Sequence, residues 1–434
     1  MTTLSVFLDV PLATAVDFPL DVYREDPSPQ KVCLGHAGCY TDNADEIWIP
    51  PVVQKILLQI PQDPTLDHEY IGELGIVEFT KTAMELVIGK NNQAFLDNRA
   101  GGVHTIGGTG AVWIGAEFLH RWYRTNHSTP AIIYIAEPQL GTLGCIFQVA
   151  GFADICSYRY WDPIKLSVDI DMFVAELQNA PEGSIIFLHA PEEIGLKPSE
   201  WRRVASMMKR RQLFPFFDVA AQGLASGDLD RDAWAVRLFV NKGFELFCAQ
   251  SFSKTFGLYD ERVGNLIVVT TDNQTLIRIH SQIARLITVT WFGPTSLGAR
   301  VITMVLNSHA HFYEWKQSLQ ALVKRIMLIR EKLKEKLRIL GTPGCWEHLT
   351  RQSGVRSFIG LNSSQVEFLE KHKHIYLLAN GQINICSINS KNLGYIAQSI
   401  HEAILVTTRQ NPSYLCITAH QESEKSSADL SDSP

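Results

Sequence analysis

The chain has 434 residues, of which 46% are hydrophobic and 19% charged, and this composition excludes a mainly disordered or fibrous protein. The net charge of -6 argues against nucleic acid or an anionic membrane as the main partner. No apolar run approaches the roughly 18–20 residues that are needed to cross a bilayer, so we expect no membrane association.

The N-terminal residues and the cysteines bear on location. Residues 1–18 contain Asp9 and Asp17 but no Lys or Arg, unlike a secretory signal or a transit peptide. The eight cysteines are scattered and include no Cys-x-x-Cys pair, so neither a zinc site nor a redox motif is supported. Reduced thiols are the simplest interpretation, and we expect a cytoplasmic protein without a bound metal.

The middle of the chain alternates short apolar runs with amphipathic helical patterns. Five runs predict buried strands: residues 131–136, 184–188, 214–217, 246–249 and 263–269. Apolar residues recur at helical spacing between them, for example over 111–124 and 199–211. This alternation predicts an α/β fold with a mostly parallel sheet, whose ligands bind beyond the carboxyl ends of the strands.

The C-terminal part follows a different pattern. One apolar stripe over residues 298–340 predicts a very long helix or a broken pair, and residues 352–408 mix strands with a final helix. These changes predict four parts: an N-terminal arm that includes part of the small domain (1–48), a large domain (49–325), a small α+β domain (326–412) and a disordered tail rich in Ser and acidic residues (413–434).

A glycine-rich segment, Gly107-Gly108-Thr109-Gly110, precedes a helical pattern. Glycine lets main-chain amides approach an anion, a helix N-terminus adds positive partial charge, and the Thr109 hydroxyl is a further donor. The segment is a candidate phosphate site, although a plain glycine-rich helix start is the simpler explanation of this motif alone.

Two charged residues follow buried runs. Asp218 ends the run 213–217, where it either binds a cationic ligand group or caps a turn or helix. Lys254 is flanked by apolar strands, and desolvation there favours the neutral amine that forms an imine with an aldehyde. Ser251 and Arg262 are phosphate-type donors nearby. A phosphate site, an acid and a buried lysine together meet the requirements of pyridoxal phosphate.

With these motifs the chain resembles the class I, fold-type I pyridoxal-phosphate aminotransferases, and among them the cytosolic aspartate aminotransferases and a divergent paralogous branch of these. The similarity runs from about residue 5 to about residue 408. Five segments carry it: residues 67–70, 101–110, 214–218, 224–234 and 243–266. The resemblance implies a large cofactor-binding domain with a mostly parallel sheet and a smaller α+β domain.

The resemblance also implies roles for individual residues. Lys254 corresponds to the lysine that holds the cofactor as an imine and then moves the substrate Cα proton. Asp218 corresponds to the aspartate that pairs with the pyridinium nitrogen, and Tyr70 to a tyrosine that reaches the phosphate in the neighbouring subunit of a homodimer. Four residues correspond to the phosphate cup: Gly108, Thr109, Ser251 and Arg262.

Several family positions are changed around the cofactor ring. Leu140 replaces the tryptophan that stacks on the ring, and Leu143 replaces the histidine that supports the ring-nitrogen aspartate. Ala221 replaces a tyrosine that donates to the ring oxygen. The loop at residues 191–195 lacks the asparagine that shares this task.

Both substrate-binding arginines of the family are also replaced. Gln382 stands where the α-carboxylate is bound, and Thr288 where the side-chain carboxylate is recognised. No Arg or Lys directly flanks either position in sequence, and Glu192 and Glu193 add negative charge nearby. A charged hydrogen bond contributes about 1.5–3 kcal/mol, so we expect at least ~10³-fold weaker dicarboxylate recognition unless Tyr40 or another neighbour compensates.

Two functions follow from these observations. The resemblance implies transfer of the amino group between L-aspartate and 2-oxoglutarate, giving oxaloacetate and L-glutamate, with activity that is weak or shifted to another amino acid. Racemisation or decarboxylation is also open to this cofactor. The alternative is a non-catalytic protein that keeps the cofactor as a structural ligand or pairs with an active homologue through the face that carries Tyr70.

Overall fold

The computed structural model describes residues 7–11, 20–43, 46–64, 66, 68–123, 131–190 and 195–410, except for the side chains of residues 142 and 408–410. The expected tail and the acidic pair Glu192 and Glu193 lie outside the described residues. The helices are α1 (Leu20–Glu25), α2 (Pro51–Gln59), α3 (Val77–Ile88), α4 (Gln93–Leu96), α5 (Gly107–Trp122), α6 (Leu140–Val149), α7 (Ile170–Asn179), α8 (Pro198–Arg210), α9 (Leu229–Asp232), α10 (Trp234–Asn241), α11 (Ser253–Phe256), α12 (Asn273–Thr288), α13 (Leu297–Asn307), α14 (His309–Ile339), α15 (His348–Arg351), α16 (Ser363–Lys373) and α17 (Leu393–Gln410).

The strands are short and most belong to one sheet. They are β1 (Val32–Cys33), β2 (Ala100–Ile106), β3 (Ile133–Ala136), β4 (Ile155–Tyr158), β5 (Trp161–Asp162), β6 (Ser167–Val168), β7 (Ile185–His189), β8 (Phe214–Val219), β9 (Leu246–Ser251), β10 (Val263–Val269), β11 (Arg356–Phe358), β12 (Ile375–Tyr376) and β13 (Gln382–Asn384).

The central sheet has the strand order β2-β10-β9-β8-β7-β3-β4. Strands β9, β8, β7, β3 and β4 are parallel, and β10 runs antiparallel to both β9 and β2. The prediction of an α/β fold with a mostly parallel sheet is therefore confirmed. All five predicted strands belong to this sheet, which also contains β2 and β4.

Both faces of the sheet are covered by helices. Phe216 and Phe217 are adjacent in β8 and fully buried, and because side chains alternate along a strand they point to opposite faces. Phe216 packs edge-on against Phe147 of α6, with ring centroids 6.2 Å apart. Phe217 packs against Trp201 of α8 at 6.1 Å. The continuous apolar run of β8 thus matches a strand that is buried on both sides.

The C-terminal part contains two small sheets and long helices. Strand β1 pairs in parallel with β12, so the N-terminal segment joins this part, and β11 pairs antiparallel with β13. The stripe over 298–340 forms a broken pair, α13 and α14, separated at Ser308, whose Oγ accepts from the His311 N–H at 3.4 Å. The expected boundary at residues 325/326 falls within α14, and the division into domains stays a prediction.

Candidate active site

The first turn of α5 packs against the residue that precedes β10. Gly107 has a φ of +67°, and its N–H donates to the Arg262 carbonyl at 2.7 Å. A Cβ atom at Gly107 would lie 2.7 Å from Arg262 Nη2, so any larger residue would clash with the guanidinium in its present position. Arg262 Nη1 donates to the Tyr259 carbonyl at 3.2 Å. These contacts hold the guanidinium at the N-terminus of the helix.

Ser251, the last residue of β9, lies against the same helix start. A Cβ atom at Gly108 would lie 2.8 Å from Ser251 Cβ and 3.4 Å from Ser251 Oγ. Thr109 follows in the same turn and is exposed, and the turn has no acidic residue. The structure therefore brings together the four predicted phosphate residues, Gly108, Thr109, Ser251 and Arg262. Main-chain N–H groups, a hydroxyl and a guanidinium at one helix start suit an anion such as a phosphate group.

Asp218 lies near the carboxyl end of β8 and has an unpredicted neighbour. His189 ends the adjacent parallel strand β7, pairs directly with Asp218 in register, and its Nδ1 is 3.3 Å from Asp218 Oδ2. The Asp218 side chain is 15% exposed and the His189 side chain 12%, so both side chains are largely shielded from solvent. The sequence contains a pattern that could have predicted this contact, because His189 and Asp218 each directly follow a mainly apolar run of five residues.

The same carboxylate affects a thiol in the next strand. Burial, and in second place the negative charge of Asp218, raises the pKa of the Cys248 thiol in β9. Cys248 is fully buried and therefore stays protonated and neutral. In the described part of the chain the cysteines are free thiols.

Lys254 lies in α11, directly after β9. Strands β8 and β9 are adjacent and parallel, so their carboxyl ends lie at the same edge of the sheet. Asp218 lies near the end of β8, and Lys254 lies just beyond the end of β9. Lys254 is partly buried, and its turn is fixed by Trp315, which stacks on Phe256 at 4.7 Å and donates from Nε1 to the Thr255 carbonyl at 2.9 Å. The lysine is thus held on a rigid turn beside the phosphate cup.

The three residues that replace the family's ring contacts are apolar, and they pack against other apolar side chains. Leu140 and Leu143 lie in α6 and pack, partly buried, against the aromatic cluster on that face of the sheet. Ala221 is buried, with 1% of its surface exposed. None of these three side chains can donate a hydrogen bond to a cofactor ring.

Gln382 begins β13 and is buried. Its Oε1 accepts from Asn380 Nδ2 at 3.3 Å, and the same Nδ2 lies 3.4 Å from the Pro138 carbonyl in the large part of the chain. Gln382 therefore faces the segment that leads into Leu140, at the cleft between the two parts. Its amide is neutral and cannot replace a guanidinium in charge.

Thr288 and Tyr70 are both exposed. Thr288 ends α12, is exposed, and donates to the Ala284 carbonyl at 2.9 Å. Tyr70 is 80% exposed and its ring packs edge-on against Phe292, with centroids 5.2 Å apart. Both side chains therefore lie at the protein surface.

Within the described residues there is no group of three or more His, Cys, Asp or Glu side chains that could hold a metal ion. None of the helices in this part of the chain is long and apolar enough to cross a membrane.

Comparisons with known proteins agree with this geometry. The model of the family "Aminotransferase class I and II" matches residues 36–400. The chain is 48% identical over 406 residues to the "Aspartate aminotransferase, cytoplasmic" of Gallus gallus, covering 92% of this chain and 98% of the relative. It is 45% identical over 408 residues to the Homo sapiens protein named "Putative aspartate aminotransferase, cytoplasmic 2", covering 94% and 96%.

Solved structures show the same fold. The cytoplasmic aspartate aminotransferase of Saccharomyces cerevisiae superposes with a TM-score of 0.87 at 31% identity, covering 92% of this chain and 99% of that one. An aromatic-amino-acid aminotransferase of Burkholderia pseudomallei, covalently bound to pyridoxal phosphate, has a TM-score of 0.86 at 30% identity, covering 92% and 100%. The chain belongs to the class I and II aminotransferases and is an aspartate aminotransferase-like protein of the pyridoxal-phosphate type.

Proposed function

We propose that this chain binds pyridoxal 5′-phosphate through Lys254 and acts on amino acids and 2-oxo acids, with poor use of L-aspartate. The observation that carries the proposal is the anion cradle beside Lys254. A Cβ atom at Gly108 would reach within 2.8 Å of Ser251 Cβ, so glycine lets the main chain of this helix start lie directly against Ser251, one residue of the predicted phosphate site. The carboxylate of Asp218 lies at the same sheet edge, where it suits a protonated pyridine nitrogen.

Each residue then has a separate task. Pyridoxal phosphate supplies an electron sink that makes the Cα–H bond of an attached amino acid acidic. Lys254 would hold the cofactor's aldehyde carbon through its Nζ and, once released, would take a proton from the substrate Cα. Asp218 would keep a proton on the pyridine nitrogen, and His189 would orient the carboxylate of Asp218.

The substrate preference follows from the replaced arginines. Gln382 offers a neutral amide and Thr288 a hydroxyl, so neither supplies the positive charge that a dicarboxylate needs at each end. Exchange between L-aspartate and 2-oxoglutarate, the reaction that the resemblance to aspartate aminotransferases implies, is therefore expected to be slow in this chain.

We further infer a homodimer in the cytoplasm. Tyr70 and Phe292 form an exposed aromatic pair, which is typical of an interaction surface. The relatives are named as cytoplasmic proteins. Sedimentation equilibrium of the purified protein should give twice the chain mass, whereas a monomer at micromolar concentration would contradict this part of the proposal.

The test of the main proposal is visible absorption of the protein with pyridoxal phosphate, before and after borohydride reduction. We expect a protein-bound band, and peptide mapping after reduction should find the added mass on Lys254. The Lys254→Ala variant should lose the band, and Lys242→Ala, at an exposed helix end, should keep it. A band that survives in Lys254→Ala would overturn the assignment.

A non-catalytic cofactor protein is the second candidate, and it is favoured by the apolar residues Leu143 and Ala221 where polar contacts to the ring are expected. A panel of amino acids separates the two candidates. A band that some amino acid converts to the amine form of the cofactor supports an enzyme. A stable band that the whole panel leaves unchanged supports the structural role. Rapid conversion by L-aspartate would contradict the argument from the replaced arginines.

A further inference from the structure

The strand beside Gln382 carries a positive charge that is distant in sequence. Strand β11 pairs antiparallel with β13 so that Phe358 is opposite Gln382 and Arg356 is opposite Asn384. Directly opposed residues, and residues two apart along a strand, share one face of a sheet. Arg356 therefore lies on the same face as Gln382, as its diagonal neighbour, at the roughly 7–8 Å that long side chains can span.

The guanidinium of Arg356 has an unused donor. Its Nη1 is buried and has no hydrogen-bond partner among the residues that the structure describes. No carboxylate in that part of the chain forms an ion pair with Arg356. Arg356 as a whole is partly buried. A buried guanidinium nitrogen without an acceptor is unfavourable, so such a group is expected where an anionic ligand binds.

The backbone of Arg356 is fixed. Its carbonyl accepts from Nη2 of the fully buried Arg330 at 2.9 Å. The same guanidinium also donates to the Leu349 carbonyl, the Gly354 carbonyl and Ser357 Oγ, each at 2.9 Å. The strand that carries Arg356 is therefore held by a buried network, and the position of its side chain is restricted.

This face of β11 and β13 points towards the cleft. Phe358 stacks on Trp161 of the large part, with ring centroids 4.6 Å apart. Asn384, opposite Arg356, donates from Nδ2 to the His36 carbonyl at 2.8 Å and to the Gly38 carbonyl at 2.7 Å. Phe358 and Asn384 therefore place this face where the N-terminal segment and the large part of the chain meet.

The N-terminal segment continues the path to the catalytic turn. The Cys39 N–H donates to Tyr259 Oη at 2.8 Å, and Tyr259 follows Lys254 by five residues. Burial raises the pKa of the nearby Cys33 thiol to about 11, and the positive charge of Arg356 opposes this rise. The guanidinium thus lies next to the segment that separates β13 from the Lys254 turn.

We propose that Arg356 binds the α-carboxylate of the substrate, in place of the cation that is missing at Gln382. The proposal rests on the proposed function. Because Thr288 adds no second cation, a single guanidinium matches a single carboxylate, and the favoured substrates are amino acids with uncharged side chains. A position-by-position comparison of sequences does not reveal this substitution, because the proposed arginine lies on β11 and the family's arginine position, Gln382, lies on β13.

The test uses cofactor-loaded protein and ligands that bind without reacting. Propanoate carries one carboxylate, succinate two, and propanamide has a similar shape without charge. Titration of each ligand by calorimetry gives dissociation constants for wild type, Arg356→Met, Arg356→Lys and the control Arg351→Met, an exposed arginine of α15. The double variant Arg356→Met/Gln382→Arg tests whether a guanidinium on the opposite strand restores binding.

We expect Arg356→Met to weaken propanoate binding about 10- to 100-fold, as expected for a lost charged hydrogen bond, and to leave propanamide binding unchanged. Arg356→Lys should retain part of the affinity, Arg351→Met all of it, and the double variant should recover most of it. Wild type should bind succinate no more tightly than propanoate.

Three results would overturn the proposal. The first is unchanged propanoate binding in Arg356→Met. The second is an equal loss for propanamide that the double variant does not restore, which would indicate a structural role. The third is much tighter binding of succinate than of propanoate to wild type, which would contradict the substrate class. Absorption of the bound cofactor is recorded on every sample, so a failure of cofactor binding is recognised separately.

Discussion

His189 Nδ1 lies 3.3 Å from Asp218 Oδ2, and the two residues are directly opposite each other in the β7–β8 ladder. A carboxylate at this strand end therefore has a fixed neighbour although Leu143 offers no hydrogen bond. The contact comes from a second strand of the sheet itself, so its geometry depends on register rather than on a loop.

The first prediction concerns this pair. His189→Leu should weaken binding of pyridoxal phosphate by about tenfold or more, because a hydrogen bond to a charged group contributes about 1.5–3 kcal/mol. The dissociation constant is measured from the visible absorption of the cofactor. His280→Leu, at a partly buried histidine of α12, is the matched control and should bind as wild type. Equal affinities in both variants would contradict a role for His189.

The second prediction concerns the phosphate cup and compares two glycines of one helical turn. A Cβ atom at Gly108 would lie 2.8 Å from Ser251 Cβ, whereas at Gly110 the nearest atom, Ile106 Cβ, is 3.4 Å away, an ordinary contact. Gly108→Ala should therefore weaken cofactor binding at least about tenfold. Gly110→Ala should leave it unchanged and gain up to about 1 kcal/mol of helix stability. Similar cofactor affinities in the two variants would show that phosphate binds elsewhere.

A third prediction concerns Arg330, which is fully buried in α14. Its guanidinium donates to four carbonyl oxygens and to Ser357 Oγ. Arg330→Met leaves these acceptors unsatisfied and should lower the free energy of unfolding by about 3–5 kcal/mol. Urea denaturation measures the change. Arg338→Met, in an exposed pair with Glu335 on the same helix, should have no measurable effect. A loss in Arg330→Met as small as in the control would contradict this account.

A fourth prediction concerns the pH dependence of stability. Burial lowers the pKa of His104 to about 3 and that of His280 to about 4. The unfolded chain takes up these protons near pH 6.5 but the folded chain does not, so stability is complete above that pH. It falls as the pH drops from about 6.5 towards 3, by up to about 1.4 kcal/mol per unit for each histidine.

The variant His104→Leu isolates this effect from the carboxylates. Urea denaturation at pH 6.5, 5.5 and 4.5 should show that the variant loses less stability than wild type as the pH falls. The difference should grow by up to about 1.4 kcal/mol per pH unit. Parallel curves for the two proteins would mean that His104 is protonated in the folded state.

The central strands and the phosphate cup could be predicted from the sequence because their signals are local. The run that ends at Asp218 is continuous and apolar, and it is buried on both faces. Strand β2 was missed because two glycines and His104 interrupt its pattern, and its seven residues are defined by pairing with β10. Propensity alone is weak where pairing decides the structure.

The contacts of His189 and Arg356 could not be predicted for a related reason. Each depends on which residue lies opposite in a neighbouring strand, and register is not encoded in the pattern of one strand. Strands β11 and β13 have three residues each, too few for alternation to be recognised. The absence of Arg or Lys near Gln382 in sequence was therefore misleading, because the sheet brings Arg356 to the diagonal position.

The pairing of β1 with β12 also constrains the synthesis of the protein. Val32 and Cys33 leave the ribosome roughly 340 residues before their partners Ile375 and Tyr376, which corresponds to a delay of about 17–70 s at 5–20 residues per second. During that interval the central sheet can assemble while the N-terminal segment has no strand to join. The pairing of β1 with β12 therefore forms only after β12 has been made, and until then agents that bind nascent chains can reach the unpaired β1 segment.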